Sequence, residues 1–292
     1  MNSTLATEIQ SILSRFIGTN IRSVEMSPIG GGSINDTYQI RINNRLKFFC
    51  KINGKKKFPG LFEKEKAGLE LLDSSQIIRV PKIIACDFTE QNQVLILEWI
   101  EQGMKTEKFW LGFGEQLAKQ HQLSNSLFGL KENNYMGALS QSNQQSGDWI
   151  QFLILERFQP QIELAVEKKL LEPSHIAHFN NLYKKLNEIF PPEKPSLLHG
   201  DLWSGNFLCD KNNQPVLIDP AVYFGHRSMD LAMTTLFGGF EDAFYQSYHQ
   251  HFPFPGNYRV QWQICNLYPL LIHLNLFGPA YLSEIINTIR HY

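Results

Sequence analysis

The run Leu198-His199-Gly200-Asp201-Leu202-Trp203-Ser204-Gly205-Asn206, followed by Val216-Leu217-Ile218-Asp219, holds three side chains that could serve one reaction. Asp201 could accept the proton of a hydroxyl. Asn206 offers an amide oxygen and Asp219 a carboxylate, both hard donors of the kind magnesium prefers. Phosphoryl transfer needs aligned oxygens and neutralised charge rather than covalent help. The set therefore points to transfer of a phosphoryl group from ATP to a hydroxyl, with Asp201 as base and Asn206 and Asp219 as Mg2+ ligands. An isolated His-Gly-Asp would read as a structural turn; Asn206 and Asp219 at these spacings weigh against that. His199 reads as orienting the loop. Trp203 fits either the core or a substrate-facing position.

A nucleotide also needs a positive partner, a phosphate cover and a seat for adenine. Lys51 shares a strand face with Lys47 and Phe49 and could reach the phosphates if a carboxylate held it. The helical pattern at 59–73 offers Glu63, Glu65 and Glu70. Glu65 falls on the stripe of Leu61, Gly68 and Leu72, which should pack inward, whereas Glu63 falls with Lys66, Ala67 and Glu70 on a polar face. Glu65 is thus the expected partner of Lys51. Gly31, Gly32, Ser33 and Asn35 lie in a glycine-rich turn between two strand candidates. No Gly-Lys-Ser/Thr follows, so this is not a Walker A loop. Its backbone N–H groups could still approach phosphate without Cβ interference. Glu98, Trp99 and Ile100 end an apolar strand where adenine would meet backbone groups; a plain linker is the alternative.

The elements that must carry these residues can be read from periodicity. Residues 4–17 have an amphipathic helical pattern in which Leu5, Ile9, Ile12, Leu13 and Phe16 recur. Strand candidates follow at 21–29, 37–42 and 46–52, then the 59–73 helix, then strand-like 80–85 and 93–97. Beyond residue 106 the pattern is mostly helical, at 107–125, 148–169, 174–190, 227–250 and 259–289. Two short strands, 206–209 and 216–218, are joined by a polar turn, so Asn206 and Asp219 can converge. The stretch 140–147 is polar and reads as an exposed loop. This is an α+β chain with a bilobal, protein-kinase-like plan. A small antiparallel sheet with one key helix occupies residues 1–98, and a larger, mainly helical lobe occupies 99–292. The His-x-Asp-x-x-x-x-Asn spacing is also that of kinase catalytic loops.

Bulk properties narrow the partners. The formal charge is −1 over 292 residues, which implies no basic face for nucleic acid and no polybasic tail for a membrane. No apolar run approaches the roughly 20 residues of a membrane span, and the N-terminus has no secretory pattern. Cys50, Cys86, Cys209 and Cys265 are far apart with no Cys-x-x-Cys pair, as expected of reduced thiols in a cytoplasmic protein rather than a zinc site.

With these residues assembled, the chain resembles the fructosamine kinase (ketosamine-3-kinase) family, related to aminoglycoside and choline phosphotransferases. The likeness rests on Gly31-Gly32-Ser33-Ile34-Asn35, Cys50-Lys51, Glu65-x-x-Gly68-Leu69, Asp148-Trp149 with Arg157, and Tyr268-Pro269-Leu270-Leu271. It is strongest in the His199 to Asn206 string and in Asp219-Pro220-Ala221-Val222-Tyr223-Phe224-Gly225-His226-Arg227. The resemblance implies phosphorylation of the C3 hydroxyl of ketosamines: fructosamine, ribulosamine or erythrulosamine adducts on small amines or on glycated proteins. The 3-phosphate makes the adduct prone to elimination, so the implied role is deglycation. The alternatives are a small-molecule alcohol kinase of the aminoglycoside or choline type and a non-catalytic nucleotide-binding module. Asp219-Pro220-Ala221 replaces the Asp-Phe-Gly of protein kinases, so no switch of that type is assumed. Ser228 stands where the family has Glu. Asp230 reads as tying a helix start to the catalytic loop. His226, Arg227, His273 and Asn275 fit the acceptor pocket or, equally, core and capping positions.

Overall fold

The computed structural model describes residues 3–18, 21–30 and 34–292; Gly31, Gly32 and Ser33, expected at the phosphates, lie outside the described residues. Helix α1 (Ser3–Ile17) turns Ile9, Ile12 and Leu13 onto a sheet, while Phe16 stays exposed. The sheet comprises β1 (Val24–Pro28), β2 (Asp36–Ile42), β3 (Leu46–Gly54), β4 (Ile83–Phe88) and β5 (Asn92–Glu98), antiparallel throughout in the order β1-β2-β3-β5-β4. Strand β5 is apolar on both faces, and the two-residue period sorts it: Val94 and Ile96 meet α1, Leu95 and Leu97 face the other way. On that second side lies α2 (Leu61–Asp73), burying Leu61, Phe62, Leu69 and Leu72. The same alternation in β3 sends Cys50 and Ile52 beneath α1 and Lys51 towards α2.

The core under α2 does not end at residue 98. It runs from Leu95 and Leu97 into Phe109, Trp110, Phe113 and Leu117 of α3 (Glu107–His121), and on to Phe207 and Leu217. Phe113 is fully buried, with its ring against Phe109, Phe207, Phe240 and Phe244. Truncating it to alanine would cost about 3–5 kcal/mol.

Several elements differ from the periodicity reading. A hairpin, β6 (Asn134–Met136) with β7 (Leu139–Gln141), enters the stretch expected to be loop. Gln141 and Asn143, expected on an exposed loop, are each 1% exposed, because their amides satisfy carbonyl and amide oxygens inside the fold. The pattern at 148–169 resolves into α4 (Trp149–Phe152), a π-helical stretch Leu153–Phe158 and α5 (Gln159–Glu167). Helices α6 (Pro173–Tyr183) and α7 (Leu186–Ile189) follow, then β8 (Ser196–Leu198). Strands β9 (Phe207–Cys209) and β10 (Pro215–Leu217) pair as expected; β11 (Tyr223–Gly225), not foreseen, pairs with β8. The 227–250 pattern is two helices, α8 (Ser228–Leu236) and α9 (Asp242–His251), broken where Gly238 and Gly239 take positive φ. Helices α10 (Tyr258–Phe277) and α11 (Leu282–Ile289) close the chain. Among the described residues no helix is long and apolar enough to cross a membrane.

Candidate active site

The loop after β8 is fixed from three directions. The N–H groups of His199 and Gly200 donate to the two carboxylate oxygens of Asp230, at 2.7 and 2.9 Å. Asp230 thus ties the start of α8 to this loop, as the sequence suggested. His199 is fully buried, and burial pushes its imidazole below the usual histidine value. Its Nδ1 accepts from the Asp201 N–H at 3.2 Å, which leaves the proton on Nε2 to donate to the Ile218 carbonyl at 2.9 Å. His199 is therefore a strut between the Asp201 loop and the strand leading to Asp219. Gly200 sits at φ 85°, and a Cβ built there would lie 2.0 Å from the Ala221 carbonyl oxygen. Only glycine allows this close approach.

The β9–β10 hairpin brings the metal-ligand candidates together. The Ile218 N–H donates to the Asn206 carbonyl at 3.1 Å, which places Asp219 beside Asn206. The Asn206 amide donates through Nδ2 to the Asp201 carbonyl and to its Oδ2, both at 2.9 Å. Those two acceptors fix the orientation of the amide and leave Oδ1 as its free oxygen donor. Asp219 has φ 56°, a left-handed conformation that aspartate tolerates better than most residues. Burial, with the Asp219 charge adding to it and the Asn206 donor opposing, pushes the Asp201 carboxyl up to about 7. Asn206 Oδ1 and the Asp219 carboxylate suit a small hard cation. Among the described residues no cluster of three or more His, Cys, Asp and Glu could hold a metal alone. Such a cation would take its remaining ligands from phosphate oxygens and water.

Lys51 lies between two carboxylates, 2.7 Å from Glu65 Oε1 and 2.5 Å from Asp219 Oδ1. Its side chain is 3% exposed. Burial works to lower its pKa, but Asp219 and Glu65 override that and hold it above the usual lysine value, so it stays charged. Glu65 rather than Glu63 makes this pair, and Glu63 is exposed. Helix α2 packs directly on the segment after Asp219 at Gly68, where a Cβ would come within 3.2 Å of Val222.

These groups share a cavity of about 510 Å³, lined by Lys51, Glu65, Asp201, Asn206 and Asp219 together with Asn35 and Trp203. Asn53 donates to Asn35 Oδ1 at 2.7 Å, which leaves the Asn35 amino group as a donor. Trp203 is 36% exposed and faces the cavity, which settles its two readings against the core. Glu98, Trp99 and Ile100, expected to meet adenine, do not line this cavity. The Glu98 carboxylate is taken by Arg79 at 2.5 Å and by the Lys82 N–H at 3.2 Å. His226, Arg227, His273 and Asn275 do not line it either. Arg227 donates to the Phe252 and Pro253 carbonyls, and Asn275 to Gln161. His273 joins a row of rings with Phe237, which in turn meets Trp203. Lys64, Asn134, Tyr135 and Gly137 also line the cavity and were not foreseen. Lys64 was within reach of helix phase, lying three residues past Leu61 and four before Gly68; a strand as short as Asn134–Met136 carries no such signal.

The chain matches the fructosamine kinase family model over residues 5–292. It is 36% identical over 267 residues to a "Probable ketoamine kinase" of Enterococcus faecium, covering 91% of this chain and 94% of that one. A chloroplastic protein-ribulosamine 3-kinase of Arabidopsis thaliana is 33% identical, with 94% and 84% covered. A crystal structure from Thermobifida fusca, whose description names a fructosamine-3-kinase, superposes with a TM-score of 0.87 at 29% identity over 97% of each chain. A choline kinase from Cryptosporidium parvum shares the fold alone, with a TM-score of 0.55 at 17% identity over 97% of this chain and 93% of that one.

Proposed function

The chain belongs to the fructosamine kinase family, and from that premise we propose that it transfers the γ-phosphoryl group of ATP to the C3 hydroxyl of a ketosamine. It is a phosphotransferase acting on an alcohol. The observation that supports the particular site is the charged Lys51, held between Glu65 and Asp219 in the cavity that also contains Asp201 and Asn206. Lys51 would meet the phosphates. Asn206 Oδ1 and Asp219 would hold Mg2+, which when bound neutralises phosphate charge. Asp201 would take the proton of the acceptor hydroxyl, and Asn206 Nδ2 aims its carboxylate. Trp203 would form a wall on the sugar side. Adenine would use the backbone groups near Glu98, Trp99 and Ile100, and Gly31, Gly32 and Ser33 would cover the phosphates. Fructosamines, ribulosamines or erythrulosamines, on small amines or protein lysines, are the proposed acceptors, and deglycation the role. The four free cysteines suit a reducing, cytoplasmic setting. As a working division, residues 1–98 form the nucleotide lobe and 99–292 the acceptor lobe.

Mg-ATP consumption measured in parallel with a ribulosamine, a fructosamine and an aminoglycoside tests this. Turnover on a ketosamine with phosphate at C3 is the expected result. Turnover on the aminoglycoside alone would keep the fold and replace the acceptor. Nucleotide binding with no turnover on any of them would make the chain a binding module.

A further inference from the structure

The β6–β7 hairpin borders the catalytic cavity, yet the transfer reaction as derived does not need it. Its bonds run in two directions. Towards α2, Tyr135 donates its hydroxyl to the Pro59 carbonyl at 3.0 Å, and its ring meets Phe58 edge-on at 6.2 Å. Lys64 of α2 donates back to the Asn133 carbonyl. Towards the strand after Asp219, Asn134 donates to the Val222 carbonyl at 2.8 Å and Gln141 to the Ala221 carbonyl at 3.0 Å. Asn134 Oδ1 in turn accepts from Gln141 at 2.8 Å and from Asn143 at 2.9 Å. These amides are 7%, 1% and 1% exposed. Burying amides is unfavourable unless they are bonded, and here Asn134 and Gln141 both bond the backbone just beyond Asp219, while Asn143 braces Asn134 from behind.

The hairpin therefore joins the start of the helix that carries Glu65 to the segment that follows Asp219. Those are the two carboxylates that hold Lys51. In protein kinases the corresponding lysine–glutamate pair and metal-binding aspartate are brought into place by activation-segment phosphorylation and helix movement. We propose that the β6–β7 hairpin is a permanent clamp that keeps Glu65 and Asp219 at the spacing Lys51 requires, and that Tyr135 is a positioning residue acting through Glu65. This inference rests on the proposed role of Lys51, Glu65 and Asp219 at the nucleotide.

A double-mutant cycle on the full chain tests it, using steady-state kinetics with Mg-ATP varied at saturating ketosamine. Tyr135→Phe removes one hydrogen bond and keeps the ring. It should lower kcat/KM for Mg-ATP roughly three- to tenfold, with the ketosamine KM unchanged and Tm lowered by no more than about 4 °C. In a Glu65→Gln background the same change should have less than about a twofold effect, because coupled residues are not additive. Full additivity of the two losses would overturn the clamp alone. So would a loss confined to the ketosamine KM, which would make Tyr135 only an acceptor-pocket wall. Wild-type activity in Glu65→Gln itself would overturn the clamp together with the nucleotide reading on which it rests.

Discussion

Replacing Gly200 by alanine should move Asp201 off its working position without touching any side chain that does chemistry. The new Cβ would meet the Ala221 carbonyl oxygen at 2.0 Å, where ordinary contact begins near 3.4 Å, so the seam must open by about 1.4 Å. The loop cannot simply swing away, because the Gly200 N–H is bound to Asp230 and the neighbouring Asp201 N–H to His199. Alanine at φ 85° adds about 1–2 kcal/mol of backbone strain. For a chain of this size that strain alone corresponds to a fall in Tm of roughly 2–8 °C. A shift of about 1 Å in a catalytic group costs about 10²-fold in rate, so kcat should fall by at least that factor. Gly147→Ala is the control: its Cβ would meet only Leu127, at 4.0 Å, and it should be silent. The assay is kcat on the best ketosamine, with thermal unfolding of both variants. A Gly200→Ala protein with wild-type kcat and Tm would refute the claim that this backbone contact sets the position of Asp201.

Asp201→Ala should lower kcat by roughly 10²–10⁴-fold, the usual worth of a general base, while calorimetry still detects nucleotide binding; unchanged turnover removes Asp201 from that role. Glu65→Ala should reduce kcat/KM for Mg-ATP and Glu63→Ala should not, since only Glu65 reaches Lys51; the reverse pattern in the same assay would mean that the charged lysine is not held as described. His226, packed between the Trp149 and Phe190 rings with Glu193 3.9 Å away, is pushed down to about 3, by burial first and then by the Arg227 charge. The unfolded chain therefore takes up a proton below pH 6.5 that the folded chain refuses, and this contribution to stability is lost as pH falls. Between pH 6.5 and 5 the loss is about 2 kcal/mol, at about 1.4 kcal/mol per pH unit. Urea midpoints at pH 7 and pH 5 should converge in His226→Gln relative to the wild type, and an identical pH response in the two proteins would contradict the assignment.

What could be read directly from the sequence was what lies close together along the chain or on one helix face. The base and the metal-ligand candidates sit on a loop and a hairpin of adjacent strands, so their convergence follows from local geometry. The Lys51–Glu65 pair joins distant segments, yet it too was readable, because helix phase leaves Glu65 as the one acid of Glu63, Glu65 and Glu70 on the inward stripe of Leu61, Gly68 and Leu72. The hairpin wall was not. Asn134 and Gln141 look like loop residues because they are polar, and they are buried because their partners are the Val222 and Ala221 carbonyls, more than seventy residues away. Composition assigns such residues to solvent unless the distant acceptor is known. Arg157 shows the same limit: a continuous helical pattern covers 148–169, but the π-helical stretch at Leu153–Phe158 carries Arg157 inward. There it lies over the Tyr223 ring at 3.9 Å and donates to Asn143 at 2.8 Å. Of the breaks that periodicity passed over, the Gly238-Gly239 pair between α8 and α9 and the Gly278-Pro279 pair between α10 and α11 were announced by residue type. The charged side chains of the candidate site were thus legible through type and spacing, whereas the polar residues that fix the backbone beneath them become legible only once that backbone has been placed.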